Sequence, residues 1–170
     1  MNNHLGEIAC LQEDYAKAAQ LYQAAIALYQ GVNDRGGLAT AYKGLGEIAC
    51  AQRDQNAARQ HFAHALTIAT EIHFWPLAFA ILLSVSRLLM QTGAQALALD
   101  VLRLIQQQPA SDHETKKRAT QQLQAWQDAT PADQFADAMR LGKIRSPEAV
   151  ISLIVAEFEA ALRLSNQSAE

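Results

Sequence analysis

Residues Leu5–Cys10 read LGEIAC, and the same six letters return at Leu45–Cys50. When the two segments are aligned, 11 of the 22 positions from Leu5 to Ile26 are identical to their counterparts, which is far more than chance would give. Self-similarity at a fixed period marks a repeat architecture, in which each unit buries its apolar face by stacking on the next. The sequence therefore predicts an array of stacked units.

A third and more divergent copy follows at the same spacing. Val85-Ser86 replaces the Leu-Gly pair, and Ala98 aligns with Ala58. Gly93 falls in the turn between the two helices of this copy, as Asp14 and Asp54 do in theirs. We therefore expect about three units in the array.

Apolar residues within each copy recur at steps of three and four, which is the helical period. Each copy therefore predicts two antiparallel helices joined by a short polar turn such as residues 12–14. A repeat period of about 40 residues requires long helices or long loops, for example over Gln30–Gly37. The predicted core face of the second helix is Ala18, Tyr22, Ala25 and Leu28 in copy one, and Ala58, Phe62, Ala65 and Ile68 in copy two.

The composition also favours an all-α fold. Half of the 170 residues are apolar, and only four prolines and eight glycines interrupt the chain. The abundant Ala, Leu and Gln are good helix formers. The formal net charge is −3, with 14 basic and 17 acidic residues. Because nucleic-acid binders usually carry a basic excess, no direct nucleic-acid partner is expected.

The sequence predicts a soluble, cytoplasmic protein without a membrane partner. No basic leader followed by an apolar stretch opens the chain. The most apolar run, Phe74–Leu83, has about half the length that a bilayer requires. Cys10 and Cys50 lie inside predicted helices and form no CxxC pair, which is typical of a reducing compartment.

Copy two resembles the tetratricopeptide repeat. That repeat has an aromatic residue before a Leu-Gly pair and an Ala-x3-Phe pattern in the partner helix. Tyr42, Leu45-Gly46 and Ala58 with Phe62 match it, and copy one matches nearly as well. HEAT and armadillo arrays have similar periods but lack this pairing. The resemblance covers about residues 2–107 and implies a superhelix of antiparallel helix pairs.

The chain is divided into two predicted regions. Residues 1–108 form the tetratricopeptide-like array, and residues 109–170 form a C-terminal helical extension that packs on the array. Pro109–Asp112 is predicted to break the array, with Ser111 or Asp112 capping a helix that runs to Trp126. Pro131 suits the first turn of a further helix ending near Gly142.

A last helix is predicted to start at Ser146-Pro147-Glu148 and to run through Leu162, with a frayed end after about residue 164. The tail, including His113-Glu114-Thr115 and Gly142, resembles the C-terminal end of large bacterial transcriptional regulators. Those proteins carry an ATPase module and a DNA-binding domain ahead of a tetratricopeptide array. The resemblance implies a regulatory or sensor region of such a system.

The N-terminal end of the array is predicted to be incomplete. The first helix starts four residues before Leu5-Gly6, whereas copy two has a full turn or more before Leu45-Gly46. A missing turn leaves apolar helix surface without a neighbour. We therefore expect homo-oligomer formation, or docking to another module, through this end.

The sequence predicts no enzyme, no cofactor and no catalytic or metal-binding residue. It has no GxxxxGK[ST] loop, HExxH, GxSxG or CxxC motif. His61 and His64 are three apart and could share a metal, but a solvated helix face is favoured. Cys10 and Cys50 could form a redox or metal pair, but equivalent stacked helices lie about 8–10 Å apart, too far for easy bridging.

A small basic cluster is also open to two interpretations. It could form a positive patch, although a solvated helix face is the favoured interpretation. Its members are Lys116, Lys117, Arg118, Arg140, Lys143 and Arg145.

The resemblance implies that the first helix of each pair lines a concave groove for peptides or helices. Lys43 could hold a carboxylate, but Glu47 and Ala80 stand where a carboxylate clamp needs further Lys and Asn groups. Glu7 and Glu47 instead favour a basic or amide-donating ligand, unless they are merely exposed helix charges. Replacing Glu47 by Lys is expected to weaken partner binding. The implied groove residues are Asn3, Glu7, Cys10, Lys43, Glu47, Cys50, Leu83, Arg87 and Met90.

The predicted function is a non-catalytic interaction module that binds a protein or peptide segment in this groove. A role as a regulatory part of a bacterial transcription or signalling system follows from the tail resemblance. The alternatives are a regulator fragment acting directly on DNA, a self-associating scaffold, and an all-α enzyme, which would need clustered acid, base or metal-binding groups.

Overall fold

The computed structural model describes residues 2–141 and 146–167. Within these ranges the chain forms helices and no strand, which confirms the all-α prediction. Consecutive helices pack in pairs, as in a tetratricopeptide-like superhelix. The helices described are α1 (Asn2–Leu11), α2 (Tyr15–Gly31), α3 (Arg35–Ala51), α4 (Gln55–Glu71), α5 (Trp75–Gln91), α6 (Gln95–Gln107), α7 (His113–Ala129), α8 (Ala132–Leu141) and α9 (Pro147–Gln167).

Long helices, and not long loops, explain the length of the repeat. Helices α2 to α5 each contain 17 residues, and only three residues join one to the next. The segment Gln30–Gly37 is therefore not an extended loop, because α2 ends at Gly31 and α3 begins at Arg35. Copy two thus consists of two helices of equal length, and each helix is followed by the same kind of turn.

That turn has one residue in the left-handed region, followed by the residue that caps the next helix. The left-handed residues recur at a constant spacing, and only the last of them, Gly93, is a glycine, for which this conformation carries no steric cost. In the first three turns an aspartate accepts a hydrogen bond from the backbone N–H three residues later, as expected of an N-cap. These caps are Asp14, Asp34 and Asp54, with distances of 3.1, 2.8 and 2.9 Å to Lys17, Gly37 and Ala57.

The first helices of the three pairs, α1, α3 and α5, lie side by side, and α2, α4 and α6 pack between and behind them. Helix α7 packs against α5 and α6, as α5 packs against α3 and α4. The break at Pro109 thus ends α6, but it does not end the row of first helices. We call the surface formed by α1, α3, α5 and α7 the A-helix face.

The final helix joins the main hydrophobic core from the opposite side. Helix α9 packs on α4, and α8 packs on α6. Val150, Ile151, Ile154 and Phe158 of α9 are buried in the same cluster as Phe62. This packing holds the C-terminal helices against the repeat array.

The predicted core positions are buried, with one exception. Leu28 is 54% exposed, so its placement in the core was wrong. Its counterpart Ile68 is buried in a cluster that includes Leu77 of α5. One repeat earlier, the position of Leu77 is occupied by Gly37, which has no side chain to cover Leu28.

Glycines allow the paired helices to approach two aromatic rings. A Cβ atom on Gly46 would lie 2.6 Å from the ring of Phe62. On Gly6 and Gly44 it would lie 2.8 and 2.2 Å from Tyr22, whose ring therefore sits between α1 and α3. Real Cβ atoms do not approach carbon this closely, so these positions require glycine unless the rings move.

The C-terminal helices begin near the predicted residues. Asp112, and not Ser111, caps α7 by accepting from the Thr115 backbone N–H at 2.8 Å and from its hydroxyl at 2.7 Å. Helix α7 runs three residues beyond Trp126, and α9 five beyond Leu162. The predicted end at Gly142 and the last residues, 168–170, lie outside the described residues.

No helix in the described ranges is both long and apolar enough to cross a membrane.

Candidate functional site

The nine residues predicted to line the groove are distributed unevenly over the A-helix face. Glu7 and Arg87 are exposed, whereas Cys10, Lys43, Glu47 and Met90 are partly exposed. The other three, Asn3, Cys50 and Leu83, are buried and offer a ligand little surface.

Asn3 connects two helices. Its side-chain amide Nδ2 donates a hydrogen bond of 3.2 Å to the carbonyl oxygen of Gly37, which joins α1 to the start of α3. Its Oδ1 is buried and has no hydrogen-bond partner among the described residues. This geometry assigns Asn3 a role in helix packing.

Glu47 lies at the centre of the face and is already paired. Lys43 Nζ is 2.9 Å from Glu47 Oε1, and the Ser84 hydroxyl donates to the same oxygen at 2.5 Å. The hydrogen bond joins α3 to α5. Sequence reasoning did not find Ser84; its signal is the position, one repeat after Gly44, where a hydroxyl replaces a glycine.

The environment keeps Glu47 ionised. Burial by itself would raise its pKa, but the Lys43 charge, the Ser84 and Lys43 hydrogen bonds and the Arg118 charge lower the pKa below its usual value. Both donors reach the same oxygen, Oε1, so Lys43 already compensates part of the Glu47 charge. The predicted preference for a basic ligand stays a prediction.

Neither cysteine has the character of a reactive thiol. Burial raises the pKa of Cys50 to about 11, although the Arg87 charge acts in the opposite direction. Burial and the charges of Glu47 and Glu7 raise the pKa of Cys10. Both thiols therefore stay protonated at neutral pH, whereas nucleophilic and metal-binding cysteines act as thiolates. Among the described residues, no three His, Cys, Asp or Glu side chains are grouped to hold a metal ion.

The two histidines of α4 contact Tyr42 of α3. The ring centroids lie 6.2 Å apart for His61 and 5.1 Å apart for His64. His61 is only partly exposed, and its burial lowers its pKa. A solvated face therefore describes His64, which is exposed, but not His61, which is partly buried.

The described members of the basic cluster do not share one surface role. Arg140 forms an ion pair with Asp137 on α8, whereas Arg118 projects from α7 onto the A-helix face. Lys143 and Arg145 lie outside the described residues. Arg118 and Arg140 of the basic cluster thus lie on two different helices and have different neighbours.

A cleft of about 540 Å³ opens between α5 and α7. Three predicted residues, all from α5, line it together with residues of α7 that sequence reasoning missed. The signal for α7 is its start at His113, which follows the start of α5 at Trp75 by nearly one repeat. The cleft is lined by Leu83, Ser84, Arg87, Met90 and Gln91 of α5, and by Arg118, Gln121, Gln122, Ala125 and Trp126 of α7.

Neighbouring side chains connect the whole face. The charges of Glu7, Lys43 and Glu47 act on Cys10, Ser84 bonds to Glu47, and the Arg118 charge reaches Glu47 from α7. A ligand lying across the four helices would therefore contact charged and apolar groups one after another along the face. The arrangement suits binding of such a ligand.

The family model of the tetratricopeptide repeat matches residues 1–71, the segment that contains α1 to α4. No curated protein and no solved structure matches the chain. Tetratricopeptide repeats are generally non-catalytic modules that mediate binding between proteins. The repeated sequence and the helix pairing agree with this match over residues 1–71, which are 71 of the 170 residues.

Proposed function

We propose that the protein is a non-catalytic module that holds an extended segment of another protein on its A-helix face. The observation that carries the proposal is the row of four adjacent helices that ends in an open cleft between α5 and α7. Such a row offers polar groups for orientation and partly exposed apolar groups for contact area. Because neighbouring helices of the row pack against one another, little ordering entropy would be lost on the protein side.

The test is selection from a random dodecapeptide library, followed by affinity measurement with purified protein. A double charge reversal, Glu7→Lys with Arg87→Glu, changes two exposed groups of the face without changing the net charge. The matched control, Glu13→Lys with Lys17→Glu, makes the same exchange at exposed positions of the first turn and of α2. Circular dichroism checks that both variants keep their helices.

The selected peptides should bind the wild type and the control equally. They should bind the double variant at least about tenfold more weakly, which corresponds to about 1.4 kcal/mol. Equal binding by all three proteins would exclude the A-helix face as the site. Failure to enrich any peptide would count against binding of extended segments altogether.

The tail resemblance supports a regulatory role in a bacterial transcription or signalling system. Direct action on DNA is the alternative, and the excess of 17 acidic over 14 basic residues favours a protein partner instead. A mobility-shift assay with genomic DNA fragments separates the two. A shift at physiological salt would favour the DNA-binding alternative.

Self-association is a second candidate function, favoured by the outer face of α1. Leu5, Ile8 and Leu11 are exposed there at spacings of three residues. Sedimentation velocity of the wild type and of Ile8→Glu tests this candidate. A concentration-dependent dimer that is lost in the variant would support it, and a monomer in both cases would remove it.

A further inference from the structure

The cleft between α5 and α7 combines positive charge with an apolar wall. Arg87 of α5 and Arg118 of α7 line it, and both side chains are exposed. None of its lining residues is acidic. The two guanidinium groups therefore determine the charge that a ligand would meet.

Neither arginine is used in an ion pair with the described residues. Glu47, whose carboxylate feels the Arg118 charge, is paired with Lys43 and accepts from Ser84. Arg118 influences that carboxylate through its charge, without forming an ion pair with it. The guanidinium groups of both arginines thus remain available to bind a carboxylate through two hydrogen bonds each.

The apolar side of the cleft is held in place by contacts between helices. Gln122 of α7 donates to the buried Ser86 hydroxyl at 2.9 Å, and its Nε2 lies 3.7 Å from Met90 Sδ. Trp126 packs edge-on against Phe135 of α8, with ring centroids 5.4 Å apart. The partly exposed side chains of Met90 and Trp126 therefore form an apolar wall that exists before any ligand arrives.

We infer that this cleft binds an acidic peptide segment, with an Asp or Glu carboxylate between Arg87 and Arg118 and a neighbouring apolar side chain against Met90 and Trp126. The inference rests on the proposed function, and it specifies the chemistry of the segment. It also reverses the preference for a basic ligand that Glu7 and Glu47 suggested, because Glu47 is engaged and the free charges of the cleft are positive. Aromatic and Arg side chains of this kind dominate the affinity of many interfaces.

The test uses three pools of fluorescein-labelled octapeptides with blocked ends. Four positions carry random large apolar residues, and the other four carry Asp or Glu, Asn or Gln, or Lys or Arg. Fluorescence anisotropy at low, constant salt gives the affinity of each pool. The acidic pool should bind at least tenfold more tightly than the amide pool, and the basic pool should bind most weakly.

Two sets of variants test whether the preference for the acidic pool arises in the cleft. Arg87→Gln with Arg118→Gln should remove the preference for the acidic pool, whereas Lys117→Gln, at an exposed neighbouring position outside the cleft, should keep it. Arg87→Lys with Arg118→Lys keeps the charge and should retain part of the preference. In a Trp75→Phe background, where Trp126 is the remaining tryptophan, the acidic pool should change the emission of Trp126.

The results separate this inference from the proposed function. Equal or tighter binding of the amide or basic pool would overturn the acidic preference, while binding to the A-helix face would stand. An unchanged preference in the double Gln variant, or unchanged Trp126 emission, would overturn the cleft as the site. If the dodecapeptide library also enriches nothing, the proposed function fails together with the inference.

Discussion

The hexapeptides at Leu5–Cys10 and Leu45–Cys50 have the same sequence but different surroundings. Leu5 is 44% exposed and Leu45 only 7%, and the corresponding fractions for Ile8 and Ile48 are 51% and 4%. Leu45 and Ile48 belong to a core cluster with residues of α2, which precedes α3. Among the described residues, no helix stands in the same relation to α1.

The difference shows that the contribution of a repeat residue to the stability of the fold depends on its neighbours in the array. Stability in stacked repeats is approximately a sum of unit terms and nearest-neighbour terms. Two identical segments therefore contribute different amounts when one of them lacks a neighbour. The same contrast separates Glu7, which is exposed, from Glu47, which is paired with Lys43 and Ser84.

The largest expected difference between the copies follows from truncating the isoleucines. Ile48→Ala should lower the free energy of unfolding by about 2–5 kcal/mol, because it removes buried methyl groups and leaves a cavity. Ile8→Ala removes the same atoms from a half-exposed position and should cost less than about 1 kcal/mol. Urea denaturation followed by circular dichroism measures both; similar losses would show that α1 is covered in solution.

Overpacking the helix contacts should give the next largest effect. Gly46→Leu forces a side chain into the ring of Phe62 and should cost about 1–3 kcal/mol in the free energy of unfolding. Gly6→Leu faces the ring of Tyr22 and should cost less, because among the described helices α1 has neighbours on one side only, α2 and α3. Gly31→Ala is the control, since an added Cβ meets nothing within 4 Å. A thermal melt of Gly46→Leu equal to that of the control would contradict this packing.

The capping aspartates should give a smaller effect. Asp54→Ala removes the acceptor for the Ala57 backbone N–H and should lower the free energy of unfolding by about 1 kcal/mol. Asp54→Asn keeps a capping oxygen and should be nearly neutral. Asp14→Ala should fray only the α1–α2 end, which amide hydrogen exchange would detect. Equal losses for the Ala and Asn variants at Asp54 would show that the cap contributes little.

The smallest expected effect concerns pH. The pKa of Glu47 lies below its usual value of 4.5, so the ionised group stabilises the fold above that value. This contribution is lost as the pH falls through the pKa of the folded state, and it should be below about 1 kcal/mol for a partly exposed pair. Glu47→Gln should therefore lose less stability than wild type between pH 6 and pH 3, in urea denaturation at each pH. The reverse order would contradict the pairing of Glu47.

Local patterns were sufficient to predict the repeated helices. The spacing of Ala58, Phe62 and Ala65 predicted the buried face of α4, and Asp112 was among the two predicted caps of α7. They failed for Leu28, because the burial of its counterpart Ile68 involves a cluster with residues of other helices, such as Leu77. They also failed to show that α7 continues the row, since Pro109 ends the local pattern while the packing continues.

The candidate site could be predicted only in part for the same reason. Glu7 and Glu47 could be assigned to one face from the repeat, and Lys43 from the family resemblance, whereas Ser84 could not be identified as a partner of Glu47. Ser84 is 37 residues from Glu47 in sequence, and their hydrogen bond exists because α3 and α5 lie side by side. The cleft likewise requires α7 to pack against α5.

The sequence by itself determined the repeating helical unit, its capped turns and the glycines that receive aromatic rings. These features arise from helical periodicity and from contacts within one repeat, and each depends on residues that are close together in the sequence. Only the tertiary structure decided which of two identical segments is covered, which carboxylate is paired and where the cleft opens. Those properties depend on side chains about one repeat apart that meet when the helices stack.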